Sequence, residues 1–342
     1  MDAFEYAKPS SLKEALGLLG SDWDDASVFA GGTDLISLLK DDVEDTKRLV
    51  NIKGIAGLNR VRESAEGVHI GAAVTVEELV SNPMIREQFP AIVDAAEGIR
   101  SPQLHNMSTV GGWLCQRPRC WYYRNGFGLL ALDKDGNSLV AQGDNRYHAI
   151  FGNSGPAKFI SPSSFGPVLM ALGGEVRIEG PKGARNVAAG DFFVIPQKPG
   201  EREHAIAPDE IVTEITIPAA SRGMRNALYE VRPKEGLDWP ITTAAVALRM
   251  RGDTVESARI VLGHVAPKPW PAEDAAKWLA GKTINEENAA KAGDAAVQGA
   301  TPLSRNGYKV QLARVSVKRA LLAAAGLRAV ASSPAAAGKG DA

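Results

Sequence analysis

A pair of adjacent glycines after a short apolar run constrains this chain more than any other feature of its sequence. Residues 28–30 (VFA) lead directly into residues 31–34 (GGTD), and an amphipathic stretch follows over residues 35–39. This pattern indicates a buried strand, a tight turn and the start of a helix. Because glycine tolerates positive φ, successive N–H groups of such a turn can converge on an anion such as a diphosphate. Thr33 adds a hydroxyl donor, and we expect Asp34 to cap the helix. An ordinary strand-to-helix turn explains the same pattern.

A second glycine pair lies in residues 106–112 (NMSTVGG). Two turns of similar style favour a ligand that carries phosphate. Neither has the G-x-G-x-x-G spacing of a Rossmann dinucleotide site, and the chain has no G-x-x-x-x-G-K-[ST] phosphate loop. The two turns therefore predict a diphosphate site of another kind.

Length and charge limit the class of protein. The chain has 342 residues, of which 44% are hydrophobic, so we expect two or three domains. Its 39 Lys and Arg nearly balance 40 Asp and Glu, which argues against a nucleic-acid or membrane-surface binder. No apolar run has transmembrane length, and the polar N-terminus does not resemble a signal peptide. We expect a cytoplasmic protein.

Hydrophobic periodicity predicts a mixed α and β chain. A short helix is expected to begin at residues 74–75. We also expect a loop over residues 98–106, an irregular stretch over residues 126–158, a domain boundary at residues 218–223 and a disordered tail after residue 328. The predicted strands are 2–9, 28–30, 48–52, 67–73, 175–179, 209–217, 227–232, 242–251 and 256–262, and the predicted longer helices are 12–19, 83–96, 167–172, 272–279, 286–296 and 309–325. We expect Ser10 and Ser11 to cap the first helix and Ser164 to cap the one that begins at residue 167.

The side chains that usually carry catalysis are not spaced for it. The five histidines lack H-E-x-x-H spacing, and no G-x-S-x-G elbow occurs. Cys115 and Cys120 do not match the C-x-x-C redox motif. The segment 115–125 (CQRPRCWYYRN) suits a flat cofactor ring, a docking surface or packing on its own domain. Two glycine turns without a catalytic constellation favour a cofactor that brings its own reactivity.

Five stretches in order resemble one known family, the flavin-binding subunits of molybdenum hydroxylases of the xanthine dehydrogenase and carbon monoxide dehydrogenase group. AGGTDL and STVGGWL are similar to its two FAD loops, the second usually having Asn where Trp113 stands. The other three are SPSSFGPVLMALGGEV from residue 161, EIVTEITIP from residue 210 and YEVRPKEGLDWPITTAAVAL from residue 229.

The resemblance implies an α+β fold that contains α/β units. Its FAD-binding domain would have two parts of the vanillyl-alcohol-oxidase (PCMH) type, over residues 1–54 and 55–220, with an insertion at residues 117–158. A small α+β domain of the CO dehydrogenase flavoprotein type would follow over residues 221–327, before the disordered tail 328–342.

The resemblance also implies FAD as the cofactor, and the residues themselves predict no catalytic side chain or metal ligand in this chain. The two loops would hold the FAD diphosphate and ribityl chain, with Ile99 and Ile206 near the flavin ring. The expected FAD-binding residues are Phe29, Ala30, Gly31, Gly32, Thr33, Asp34, Leu35, Ile99, Asn106, Thr109, Val110, Gly111, Gly112, Trp113, Ser163, Ser164, Ile206 and Glu230.

Three departures from the family pattern matter. Ser164 stands where Asp is frequent, which weakens FAD binding, and Glu230 stands where Lys is frequent, which leaves the acceptor open. The insertion resembles that of a subgroup whose flavin subunit also carries a [4Fe–4S] cluster. Such a cluster needs four thiolates, whereas this chain has only Cys115 and Cys120, so we predict no iron–sulfur cluster.

By the resemblance, the function is electron transfer within an oxidoreductase complex. A molybdopterin-containing large subunit would hydroxylate the substrate, and a [2Fe–2S] small subunit would pass electrons to this FAD and on to an external acceptor. Neither nucleic acid nor a membrane is an expected partner. A stand-alone FAD-dependent oxidoreductase of the same fold and a flavin-free scaffold subunit are the alternatives, the latter favoured by Ser164 and Glu230.

Overall fold

The computed structural model describes residues 1–234 and 238–327 of the chain. The predicted disordered tail, residues 328–342, lies outside the described residues. The described part consists of three β-sheets with helices between and upon them. The mixed α and β fold class expected from the sequence is confirmed.

The first sheet is parallel and has the strand order β1-β3-β2. Its elements are β1 (Glu5–Ala7), α1 (Leu12–Gly17), β2 (Ser27–Phe29), α2 (Leu35–Lys40) and β3 (Arg48–Asn51). The side chain of Ser11 caps α1 by accepting from the Glu14 N–H, as predicted. Ligands of α/β sheets bind beyond the carboxyl ends of parallel strands, and the first glycine turn stands at that end of β2.

The second sheet is antiparallel and has the order β4-β5-β8-β6-β7. Its strands are β4 (Val61–Glu63), β5 (Gly67–Gly71), β6 (Glu175–Gly180), β7 (Gly183–Ala188) and β8 (Ile211–Pro218). The sequence did not predict β4 and β7. Both are largely exposed edge strands, so they lack the apolar alternation that reveals a half-buried strand.

Helices fill the chain between β5 and β6 and the turn after β7. They are α3 (Val76–Ser81), α4 (Pro83–Gln88), α5 (Pro90–Glu97), α6 (Pro102–Met107), α7 (Val110–Leu114), α8 (Trp121–Arg124), α9 (Leu139–Gln142), α10 (Phe165–Ala171) and, after β7, α11 (Ala189–Phe192). The single helix predicted over residues 83–96 is wrong. Phe89 leaves helical geometry, with φ −131° and ψ 60°, because the residue before a proline disfavours it.

The loop predicted over residues 98–106 is also wrong, since most of it forms α6. The Ser101 side chain accepts from the Leu104 N–H, and Pro102 occupies the first turn, where its missing N–H costs nothing. None of the residues of α6 is buried, so no apolar periodicity announced it.

The third sheet is antiparallel, has the order β12-β11-β10-β9 and carries helices on both faces. Its elements are β9 (Arg225–Val231), β10 (Thr242–Arg251), β11 (Thr254–Gly263), β12 (Trp270–Pro271), α12 (Glu273–Leu279), α13 (Glu286–Ala296) and α14 (Tyr308–Ala324). Helices α12, α13 and α14 pack on one face of this sheet and form a hydrophobic core with it. The opposite face of the sheet packs on α5 and α10. The hydrophobic core of the second sheet therefore continues past residue 220. The domain boundaries at residues 54 and 220 stay predictions.

Candidate functional site

A cleft opens between the carboxyl end of β2 and the second sheet. Both glycine turns line it, and its cavity volume is about 230 Å³. Eleven of the predicted FAD-binding residues line the cleft: Phe29, Ala30, Gly31, Gly32, Thr33, Asp34, Leu35, Thr109, Gly111, Gly112 and Ile206.

The two glycines of the first turn are required for different reasons. Gly32 has a φ of 71°, in the left-handed region that other residues rarely adopt. A Cβ on Gly31 would lie 1.8 Å from the carbonyl oxygen of Met107, directly before the second turn. The two turns therefore touch through backbone atoms. The Ser108 hydroxyl also donates to Thr33 Oγ1 at 3.1 Å, which joins them again.

The first turn supplies backbone N–H groups that are free to donate hydrogen bonds to an anion. Among the described residues, none accepts a hydrogen bond from the backbone N–H groups of residues 31–34. In the second turn, by contrast, the N–H of Val110 donates to Val74 O at 2.8 Å and that of Gly111 to Ala72 O at 2.9 Å. A row of unpaired N–H groups beside a helix start suits a diphosphate. The structure thus fits FAD at this place.

Asp34 does not cap α2, so that prediction is wrong. Its carboxylate turns instead to the insertion, where Oδ2 accepts from the Arg117 N–H at 2.7 Å. Oδ1 pairs with Arg119 Nη1 at 3.0 Å and with Arg124 Nη2 at 2.9 Å. Two guanidinium groups and one N–H satisfy the carboxylate better than the N–H groups of its own helix.

A second set of charges, which we call the Arg117 cluster, consists of Arg117, Glu44, Glu203, Arg202 and Tyr123. The Arg117 guanidinium pairs with Glu203 at 2.6 Å and with Glu44 at 2.7 Å. Glu44 also pairs with Arg202 at 2.8 Å and accepts from the Tyr123 hydroxyl at 2.5 Å. Burial favours neutral Glu203, but the Arg117 charge lowers the pKa of Glu203 below its usual value. The Arg117 cluster fastens the insertion to the first sheet.

The other seven predicted FAD-binding residues do not line the cleft. Val110 and Trp113 lie in the hydrophobic core, where the Trp113 indole stacks on Phe165 with ring centroids 5.1 Å apart. Asn106 is exposed on α6, and its side chain donates to Pro102 O. The remaining four, Ile99, Ser163, Ser164 and Glu230, lie around the start of α10 and the end of β9.

Ser164 and Glu230 are directly bonded to each other. The Ser164 hydroxyl donates to Glu230 Oε1 at 2.5 Å, and Arg232 pairs with Oε2. A Cβ on Gly98, the neighbour of the half-buried Ile99, would lie 2.5 Å from Glu230 Oε2. Two departures from the family pattern thus form one contact, and Arg232 neutralises the charge of Glu230.

Ser163, rather than Ser164, caps α10. The Ser164 side chain makes no capping hydrogen bond, so the prediction that Ser164 caps this helix is wrong. Ser163 Oγ accepts from the Gly166 N–H and donates to the carbonyl oxygen of Trp113 at 2.9 Å. Ser163 therefore connects α10 to the end of the second glycine turn.

Several residues that line the cleft were not predicted from the sequence. Burial raises the pKa of Cys115 to about 12 and lowers the pKa of His204 to about 4, so both are neutral near pH 7. Arg117 was noticed only as part of a basic aromatic segment. Trp23, Gln116 and Arg202 reach the cleft through tertiary contacts that have no local sequence signal.

The described residues contain no group of three or more His, Cys, Asp or Glu side chains placed to hold a metal ion. Cys120 Sγ lies 3.1 Å from His148 Nε2 inside the insertion. Within the described ranges, no helix has the length and apolar character needed to cross a membrane.

Two known families match consecutive parts of the chain. Residues 2–220 match the FAD binding domain in molybdopterin dehydrogenase, and residues 227–324 match the CO dehydrogenase flavoprotein C-terminal domain. The first match alone covers more than half of the chain.

Individual proteins are similar over nearly the whole chain. The carbon monoxide dehydrogenase medium chain of Hydrogenophaga pseudoflava is 31% identical, over 94% of this chain and 96% of the relative. The aldehyde oxidoreductase FAD-binding subunit PaoB of Escherichia coli is 29% identical, over 92% and 96%. Among solved structures, quinoline 2-oxidoreductase from Pseudomonas putida 86 superposes with a TM-score of 0.72 at 25% identity, covering 95% of this chain and 98% of that chain.

The chain belongs to the family of FAD-binding flavoprotein subunits of molybdenum hydroxylases. The resemblance, the FAD cofactor and the oxidoreductase class expected from the sequence are confirmed. The FAD-binding residues stay a prediction.

Proposed function

We propose that this FAD-binding subunit transfers electrons within a molybdenum hydroxylase complex. A [2Fe–2S] small subunit would deliver electrons singly to the FAD, and a molybdopterin-containing large subunit would oxidise the substrate. An external acceptor would then take the electrons from the flavin. The relatives support this role, since they are named as the medium chain of a dehydrogenase and the FAD-binding subunit of an oxidoreductase.

The observation that carries the proposal is the character of the cleft. It offers a row of unpaired N–H groups for a diphosphate, but the thiol of Cys115 and the imidazole of His204 are held neutral by burial. His204 also packs against the rings of Phe192 and Phe193. These side chains are suited to bind and enclose rather than to move protons. FAD supplies the redox chemistry when bound.

Within the proposal, each part of the cleft has one task. The N–H groups of residues 31–34 bind the diphosphate, and the hydroxyls of Thr33 and Thr109 add donors. Gly31 lets the second turn approach, and Ile206 provides apolar contact at the wall. Ile99, Ser164 and Glu230 would face the flavin from the region around the start of α10.

Spectroscopy and kinetics on the purified chain and complex test the proposal. The chain, isolated without denaturation, should show the visible flavin bands and contain about one FAD per chain. Without air, the reduced [2Fe–2S] subunit should bleach the flavin, while the organic substrate should do so only in the full complex.

Each alternative predicts a different result. Turnover of an organic substrate by the isolated chain would identify a stand-alone flavoenzyme. Absence of flavin from chain that retains its fold would identify a scaffold subunit. Iron analysis of the same sample tests the predicted lack of a cluster, because a [4Fe–4S] centre would give about four iron atoms per chain.

A further inference from the structure

We propose that Arg119 and Arg124 of the insertion are positioning residues for FAD, which act by neutralising Asp34. The inference rests on the proposed placement of FAD in the cleft. It assigns a task to the insertion: residues 117–124 make the first glycine turn acceptable to a diphosphate.

Asp34 presents the difficulty that the arginines remove. Its backbone N–H is one of the unpaired donors of the first turn, and Asp34 itself lines the same cleft. The side chain is only 15% exposed, so water screens its charge poorly. A bare carboxylate here would repel the diphosphate that the N–H groups attract.

Arg119 and Arg124 neutralise the charge of the Asp34 carboxylate, although neither arginine lines the cleft. Asp34, Gln116 and Arg117 line the cleft, whereas Arg119 and Arg124 do not. Both guanidinium groups pair with the same oxygen, Asp34 Oδ1, at 3.0 Å and 2.9 Å. Their geometry indicates an action through Asp34 rather than contact with the cofactor.

The other charged groups near the first turn, those of the Arg117 cluster, pair with one another. The Arg117 cluster contains two cations and two carboxylates in mutual contact, so it contributes no net charge. Arg119 and Arg124 therefore decide the balance, and together with Asp34 they leave one net positive charge beside the turn. Burial lowers the pKa of Arg119, but only to about 10, so it stays protonated near pH 7.

The insertion holds both arginines in place. Arg124 Nε donates to Pro118 O at 2.9 Å, and Nη2 donates to Arg117 O at 3.1 Å as well as to Asp34. The Arg119 guanidinium lies over the Trp239 ring, 4.4 Å from its centroid. Their pre-positioning means that FAD binding need not order them.

FAD titrations of the deflavinated full-length chain test the inference by a double-mutant cycle. Arg119→Gln/Arg124→Gln should weaken FAD affinity roughly tenfold to a hundredfold, because Asp34 then faces the diphosphate unneutralised. The same pair of changes in an Asp34→Asn background should have an effect of about threefold or less. The readout is the dissociation constant from quenching of flavin fluorescence.

Two controls separate charge from structure. Arg146→Gln, an exposed arginine of the same insertion paired with Asp144, should leave the FAD affinity unchanged. Arg119→Lys/Arg124→Lys keeps both charges but loses the guanidinium contacts to Pro118 O and to the Trp239 ring, so it should lose less affinity than the glutamine pair. If the double glutamine variant does not fold, each single glutamine variant is measured in both backgrounds.

The outcomes decide the question. An equal loss of affinity in the wild-type and Asp34→Asn backgrounds would mean that the arginines attract FAD directly, and would overturn the inference. An unchanged affinity in the glutamine variant would overturn it as well. Failure of the wild-type chain to bind FAD would instead refute the proposed function.

Discussion

At the scale of single residues, the first glycine turn shows what a sequence motif does and does not reveal. The pair of glycines correctly predicts a strand-to-helix turn, because Gly32 supplies a positive φ. The need for glycine at position 31 comes from the carbonyl oxygen of Met107, 76 positions further along the chain. Asp34 was expected to serve its own helix, and arginines of the insertion bind it instead. Local rules fail where distant charged groups compete for the same side chain.

The first prediction concerns Gly32. In Gly32→Val the branched side chain would meet the Phe29 ring, which lies 2.6 Å from the position of a Cβ, and the backbone would leave its φ of 71°. We expect loss of FAD from a chain that remains folded, measured by flavin absorbance and by circular dichroism.

Gly57→Val is the matched control. Gly57 has a φ of 92°, is exposed, and has nothing within 4 Å of a Cβ. Its substitution should cost about 1–2 kcal/mol of stability and leave FAD content unchanged. Equal FAD content in the Gly32 variant would mean that the turn has only a structural role.

At the scale of elements, the sequence correctly predicted those helices and strands that have a periodic pattern of apolar residues. The bounds of β10 (Thr242–Arg251) and α13 (Glu286–Ala296) agree with those predicted, because each has a continuous buried stripe. The exposed α6 and β7 were missed, since neither buries a face. The cleft was predictable as far as its two glycine turns, whereas its side walls depend on pairing between distant strands.

The second prediction concerns Asp94 on α5, where this helix packs on β9. Burial raises the pKa of Asp94 to about 6, although its carboxylate accepts from the Leu228 N–H. An aspartate of the unfolded chain titrates near its ordinary value of 3.8. Between these two values the folded state binds the extra proton, so the contribution of Asp94 to stability falls as pH rises and is lost above pH 6.

Asp94→Asn should therefore stabilise the protein near pH 7 by up to about 3 kcal/mol, since an amide oxygen can still accept from Leu228. Below pH 4 the advantage should disappear. Denaturant unfolding of both proteins across this pH range measures the effect. Glu87→Gln, an exposed change on the neighbouring helix α4, is the control. A constant difference in stability between the Asp94→Asn variant and the wild type at all pH values would contradict the explanation.

At the scale of the whole molecule, the insertion connects parts that the sequence treats as separate. Its first part reaches Asp34 and Glu44 near the first sheet. Its later residues Ile150 and Phe151 enter the core beneath the helices of the third sheet. The sequence identified residues 117–158 as unusual but could not place them, because their partners lie before and after them at long range.

Lys309 is the centre of this long-range connection. It is fully buried on α14, and its ammonium group donates to the carbonyl oxygens of Tyr147 and His148 in the insertion, both at 3.1 Å. A third bond reaches the carbonyl oxygen of His264, at 2.7 Å. Burial lowers the pKa of Lys309 to about 7, while the three acceptors favour its protonated form.

The last prediction is that Lys309→Met detaches the insertion before it affects the rest of the fold. Methionine fills a similar volume but cannot donate to the three carbonyl oxygens. The His148 oxygen keeps Asn306 Nδ2 as a donor, whereas the oxygens of Tyr147 and His264 lose theirs, which should cost about 2–4 kcal/mol of stability. Lys318→Met, on the same helix, removes only a partly exposed ion pair with Glu286 and should cost less than about 1 kcal/mol. Limited proteolysis should cut the Lys309→Met variant within residues 117–158 first, whereas the Lys318→Met variant should resist like the wild type.

If both variants lose the same stability and show the same cleavage pattern, the three carbonyl bonds do not hold the insertion. Preferential cleavage in the Lys309→Met variant, together with weaker FAD binding, would show that a bond to α14 supports the distant glycine turn through the insertion.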